Sequence, residues 1–177
     1  YGFSRGAAMA RTFVNLVLIG LKREFPQVSV RFLGVFDTVG SFGMGGDDVD
    51  VGQNMCIRPG DAAHIRHFTA RHEIRENFPL TALGPDRAYP GAHSDIGGGY
   101  PKDDGGTTNH LSFVTLKDMY NASVHDAGVE MSALQIPAGV DVERLRRDSE
   151  RFWPAHAIMF APGGDFDHQR QAFYDRY

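Results

Sequence analysis

Small residues at Gly6, Ala7, Ala8 and Ala10 lead into Phe13, Val14, Leu16, Val17, Leu18, Ile19 and Leu21. That spacing predicts a helix over residues 6–25, closed by Pro26. Apolar positions reach nearly every side of its second half, which implies a helix buried inside a larger fold. Residues 28–36 are β-branched and aromatic and stop abruptly at Asp37 and Gly40, the pattern of a buried strand. Residues 40–60 make a Gly- and Asp-rich loop, too long for a plain connector. Asp61 predicts the cap of a short helix through Arg66, with a strand over residues 68–72. Pro79, Gly84 and Pro85 mark turns before a short strand over 87–89. A second Gly-rich loop over 97–106 precedes helical spacing at Leu111, Val114, Met119 and Val124, and a last helix is expected over 142–152. Strand and helix alternate without internal repeat or clear linker. The fold class is therefore α/β with a mostly parallel sheet.

Composition narrows the functional classes. At 177 residues the chain has the length of one domain, 1–177, with a core that needs no staples. A net charge of −4 gives no basic field to attract nucleic acid. Cys56 stands alone, which excludes an internal disulfide and a cysteine zinc cage. The strongest apolar stretch, residues 13–21, holds Asn15 and Gly20 and is too short for a transmembrane segment. No basic region precedes it, so it is not a signal peptide. Tyr1 stands where an initiator Met would, which points to part of a longer protein.

The sharpest chemical signal is Gly2-Phe3-Ser4-Arg5-Gly6, a Gly-x-Ser-x-Gly pattern directly before a helix. In a nucleophile elbow the serine sits on a strained strand-to-helix turn, and flanking side chains would collide. The N–H of the next residue, Arg5, points at the oxyanion, and the helix N-terminus adds positive potential. The other reading is a Gly-rich turn with Ser4 as N-cap. A serine nucleophile needs a base and an orienting carboxylate. Asp37 stands at the end of the first long strand, where such an acid belongs, although aspartates there also form turns.

Eight histidines compete for the base. His64, His67 and His72 fall in an Arg- and Glu-rich segment that reads as a solvated face, without the His-Glu-x-x-His spacing of a zinc site. His110 and His125 read as surface residues, while His156 and His168 come late enough to compete. His93 follows a short strand and precedes Ser94-Asp95-Ile96-Gly97-Gly98-Gly99-Tyr100, a turn from which an imidazole reaches a neighbouring strand's serine. It is the chosen base. Asp95 is expected to bond its own turn rather than orient His93, and the glycines to let the backbone pass close to the site. Asp47, Asp48 and Asp50 lack an EF-hand pattern. Cys56 reads as a small buried or loop residue. The aromatic end, 166–177, could pack on the core or touch a lipid interface.

Three stretches together resemble one family: Gly2 to Arg11 (Gly-Phe-Ser-Arg-Gly-Ala-Ala-Met-Ala-Arg), Gly34 to Ser41 (Gly-Val-Phe-Asp-Thr-Val-Gly-Ser) and Pro90 to Tyr100 (Pro-Gly-Ala-His-Ser-Asp-Ile-Gly-Gly-Gly-Tyr). It is the uncharacterised α/β-hydrolase domain family that includes the type VI secretion phospholipase effectors, and the likeness extends over residues 1–127. The resemblance implies a three-layer α/β-hydrolase-like sandwich with a Ser4, Asp37, His93 triad. It implies a phospholipid or other ester substrate, no cofactor and no metal. It also implies a secretion carrier and an immunity protein as partners, and a bacterial cytoplasmic origin before export into a target cell. The alternatives are an esterase or thioesterase on a soluble substrate, and a catalytically inactive binding module. Family members carry N-terminal strands and a loop that looks like the source of the second oxyanion donor. These do not fall within residues 1–177. Without that donor, a loss of roughly 10²–10³ in rate is expected.

Overall fold

The computed structural model describes residues 1–42, 52–101 and 109–152. Four strands form one parallel sheet in chain order: β1 (Gly2–Phe3), β2 (Val30–Phe36), β3 (Ala62–Ala70) and β4 (Asp86–Tyr89). Register sets Phe3 beside Phe36, Phe36 beside Phe68, and Phe68 beside Arg87. All the strand ends therefore point the same way, toward the edge where open α/β sheets gather their ligand-binding groups.

Side chains of β2 alternate between the two faces, as a strand requires. Leu33 and Val35 pack with Ala7 and Val14 of the first helical stretch, while Phe32 and Phe36 join Phe68, Ile96, Val114, Met119 and Leu145 on the other. The second face is covered by α3 (His93–Gly97), α4 (Ser112–Asn121) and α5 (Val142–Phe152). Helices on both faces give the three layers expected from the resemblance. Tyr89 Oη donates to Asp118 Oδ2 at 2.7 Å, and Arg146 donates to both Asp118 oxygens at 2.8 and 2.7 Å. This bidentate contact ties α5 and α4 to the end of β4.

The first helical stretch is α1 (Arg5–Phe13), a π-helical turn (Val14–Leu18) and α2 (Ile19–Glu24). Asn15 sits in the widened turn, and its Nδ2 donates to Arg11 O at 3.2 Å and to Asn54 O and Cys56 O at 2.8 Å. Insertion of a side chain into the helical ladder is one cause of such a turn. Arg11 is buried and donates to Met55 O at 2.7 Å, Thr81 O at 2.8 Å and Ala82 O at 3.2 Å. One guanidinium thus holds both loops that flank β3.

One expectation is corrected. The helix from Asp61 to Arg66 does not form, because these residues enter β3 and pair with β2 from Ala62 onward. Asp61 instead closes a turn, its Oδ2 accepting Arg58 N–H at 2.7 Å. Pairing with β2, and then with β4 from His67 onward, outweighs the local cap signal. Within residues 1–177 the first helical stretch leaves Met9, Phe13, Leu16, Val17 and Leu21 exposed. The sheet covers the side that carries Ala7 and Val14, while Asn15 is covered by the loop before β3. Asp47, Asp48, Asp50, His156, His168 and residues 166–177 lie outside the described residues. Cys56 is an exposed loop residue.

Arg11→Met removes all three loop contacts and strands the carbonyls they satisfy. Urea unfolding is expected to show a loss of about 2–4 kcal/mol, whereas Arg31→Met, on an exposed arginine with one carbonyl contact, changes stability by less than about 0.5 kcal/mol.

Candidate active site at the strand ends

Ser4 lies between β1 and α1 at φ 57°, ψ −128°, a conformation that costs a non-glycine residue of order 1–3 kcal/mol. Its backbone is held from three sides. Ser4 N–H donates to Phe36 O at 3.0 Å, and Ser4 O accepts from Ala7 N–H at 3.0 Å and Ala8 N–H at 3.2 Å. Although it occupies the N-cap position, its hydroxyl makes no capping hydrogen bond. A Cβ on Gly2 would lie 2.3 Å from Gly6 O, so the first glycine of the motif is required by close approach. A Cβ on Gly6 meets nothing within 4 Å, so the second is not required by collision within this chain. Arg5 opens α1, which makes its N–H one of the helix's unpaired first-turn donors.

Asp37 follows β2 directly, also at positive φ, 37°. Its two carboxylate oxygens are both engaged. Oδ1 accepts Ala70 N–H at 2.7 Å, and Oδ2 lies 2.7 Å from His93 Nδ1. Both side chains are almost wholly buried. The ring nitrogen facing a carboxylate carries the proton, which leaves Nε2 as the basic atom.

His93 begins α3, and its ring is clasped by Phe3 with centroids 4.5 Å apart and by Phe78 at 4.7 Å. Phe3 immediately precedes Ser4, so one aromatic contact joins the serine's strand to the imidazole. A Cβ on Gly97 would fall 2.0 Å from the Phe3 ring, which explains one glycine of the run as room for that contact. Asp95 is fully buried and accepts Ala92 N–H at 2.9 Å, bonding its own turn as expected. Among the described residues no hydrogen bond joins Ser4 Oγ to the imidazole; such contacts commonly tighten only with substrate bound.

Several residues at the site escaped sequence reasoning. His67 and His72 are fully buried rather than solvated. His72 Nδ1 accepts Gly91 N–H at 3.0 Å, and His72 N–H donates back to Gly91 O at 3.2 Å. Burial, helped by the charge of Arg71 and opposed by Glu150, pulls the His72 pKa down to about 4, so the ring stays a neutral acceptor. Glu73 Oε2 accepts His93 N–H at 3.0 Å and pairs with Arg75, whose guanidinium lies 4.2 Å from the centre of the Phe78 ring. The available signal was the succession of β3, a tight turn and a carboxylate; chain pattern alone gives no contact to His93. His64 and His110 are half-buried and His125 is exposed. Among the described residues no cluster of three or more His, Cys, Asp or Glu could hold a metal ion, and no helix is long and apolar enough to cross a membrane.

The family model for "T6SS, Phospholipase effector Tle1-like, catalytic domain" matches residues 19–122, more than half of the chain and including Asp37 and His93. The chain belongs to that family. It is similar to a Tle1 effector solved bound to the VgrG spike of the type 6 secretion system, with 39% identity over 56% of this chain and 24% of that one, at a TM-score of 0.46. It is also similar to an uncharacterized protein from Pseudomonas aeruginosa, with 24% identity over 98% of this chain and 30% of that one, at a TM-score of 0.64. The latter likeness shows a shared fold. The chain thus spans less than a third of the length of either structure. No curated protein matches it.

Glu73 generates a pH prediction. Burial pushes its pKa up, but hydrogen bonds from the Arg75 side chain, the Arg75 and His93 backbones and the guanidinium charge outweigh this and hold it below the ordinary value. A depressed carboxyl stabilises the fold above its unfolded pKa, near 4.5, and loses that contribution as pH falls through the folded value. Urea midpoints measured between about pH 3 and 7 should therefore fall less steeply below about pH 4.5 in Glu73→Gln than in the wild type.

Proposed function

We propose that residues 1–177 are the catalytic-domain part of a serine hydrolase that cleaves a carboxylic ester, with phospholipid acyl esters as substrate. The observation that carries this reading is the buried Asp37–His93 pair at the strand ends, joined through Phe3 to a serine held at positive φ. Family membership supplies the lipid class. Ser4 Oγ attacks the ester carbonyl carbon while its proton passes to His93 Nε2. Asp37 keeps the imidazole in the Nδ1–H tautomer and stabilises the imidazolium. Charge then gathers on the carbonyl oxygen, which faces the Arg5 N–H and the start of α1. Collapse of the tetrahedral intermediate releases the alcohol, which takes the proton from His93. Water next attacks the acyl-enzyme, giving its proton to His93, and the free acid leaves as Ser4 recovers a hydrogen.

The family and the VgrG-bound relative support a wider proposal, delivery into a target cell on a type VI secretion carrier with an immunity protein as counterpart. An ester panel of diacyl phospholipid vesicles against soluble esters and thioesters tests the substrate class.

Fluorophosphonate labelling tests the chemistry. The label should locate to Ser4 by mass spectrometry and vanish in Ser4→Ala. Labelling should fall by about 10³-fold or more in His93→Ala, and Asp37→Asn should cost up to about 10⁴ in kcat. Label on the longer parent protein alone shows that segments outside residues 1–177 complete the site; no label on Ser4 in either, both folded, overturns the hydrolase reading and leaves a binding module.

A further inference from the structure

Asp37 sits at φ 37°, and a side chain is held there only when its surroundings over-determine the backbone. Asp37 N–H donates to Phe68 O at 2.7 Å, which fixes the peptide before it. The peptide after it is held by an imidazole. Thr38 N–H donates to His67 Nε2 at 3.1 Å, and Thr38 Oγ1 lies 3.0 Å from the same nitrogen. At the far side of the ring, Nδ1 lies 2.7 Å from Asp86 Oδ1. Since Nε2 accepts a main-chain N–H, the ring proton resides on Nδ1 and is donated to Asp86. Asp86 is itself held by Leu83 N–H, at 3.2 and 3.3 Å from its two oxygens. The chain thus holds a second Asp–His pair, its imidazole buried and its carboxylate at the surface, aimed at the residue beside Asp37.

We infer that His67, held by Asp86, is a positioning residue that aims the Asp37 carboxylate at His93; this rests on Asp37 being the orienting acid. The geometry explains how. The orientation of the peptide joining residues 37 and 38 sets the direction of the Asp37 side chain, and the acceptor on Thr38 N–H locks that peptide. Without it the peptide can rotate, and Oδ2 leaves the line to Nδ1. Small displacements of this kind are costly in catalysis, up to about 10²-fold for a shift near 1 Å.

The ring also has the protonation state the role needs. Burial lowers the His67 pKa, opposed by the hydrogen bond and charge of Asp86, while the Arg11 charge lowers it further and the Asp37 charge raises it. Burial wins. A protonated ring would set one N–H against another and break the contact to Thr38.

Two substitutions separate positioning from packing. The glutamine carbonyl in His67→Gln reaches the place of Nε2 and still accepts Thr38 N–H. The asparagine amide in His67→Asn reaches only the place of Nδ1, keeping Asp86 and losing Thr38. Fluorophosphonate labelling of Ser4 and ester turnover should fall by about 10- to 100-fold in His67→Asn. The loss should lie in kcat with KM unchanged, while His67→Gln stays within about threefold of wild type. Equal losses in both variants, or wild-type rates in His67→Asn, overturn the inference.

Two further readouts need no activity. If Ser4 takes no label in the wild-type chain or in its longer parent, the hydrolase reading falls. The positioning of Asp37 is then decided by the His93 ring N–H resonance, which must shift in His67→Asn and not in His67→Gln. If His67→Asn does not fold, ¹⁵N shifts of the wild-type ring decide: a protonated Nδ1 with a bare Nε2 at neutral pH supports the inference, and the opposite tautomer overturns it.

Discussion

The carboxylate of Asp37 is divided between the sheet and the imidazole. One oxygen takes the main-chain N–H of Ala70 at the end of β3, and the other faces His93 Nδ1. This sharing is possible only because β2 and β3 run parallel in a register that sets Phe36 beside Phe68. Asp37 then emerges level with the last amide of its neighbour. Burial raises the stakes of the arrangement, since an unpaired carboxylate or ring N–H in this setting would carry a full desolvation penalty.

Strain and restraint are distributed around that carboxylate. Ser4 and Asp37 are the non-glycine residues at positive φ among those described, and both lie at strand ends on the same edge of the sheet. Each is enclosed by main-chain hydrogen bonds from the adjoining strand or helix. On β3 and in the turn just after it, two neutral imidazoles accept amides from the segments beside Asp37 and His93, His67 from Thr38 and His72 from Gly91. A neutral histidine suits such a place because it accepts a hydrogen bond on one side without bringing an ionic charge into the interior. Arg11 completes the frame from α1, gripping Thr81 and Ala82 in the loop whose Thr81 N–H bonds Thr38 O at 2.8 Å.

Aromatic packing joins the serine's strand to this frame. Phe3 and Phe78 both lie against His93, and the Arg75 guanidinium lies over the Phe78 ring. Glu73 connects the two by accepting the His93 amide while pairing with Arg75. Movement of the loop from Glu73 to Phe78 would therefore reach the imidazole through both its backbone and its ring.

The amino-acid sequence by itself determined the strand before Asp37, the helices after Ser4 and near 112–121 and 142–152, and the α/β class. These rest on local periodicity, which a chain carries in its own spacing. It also singled out Ser4, Asp37 and His93, because glycine-rich turns at strand ends mark places where backbone geometry is special. Tertiary structure alone decided that residues 62–66 extend a strand, since pairing with β2 from Ala62 onward satisfies amides that a local cap could not. It alone placed His67 and His72 inside, where Arg and Glu neighbours in the chain had suggested solvent. Their partners, Thr38 with Asp86 and Gly91, lie 19 or more residues away. No local pattern encodes a hydrogen bond that exists only when two loops arrive at the same strand.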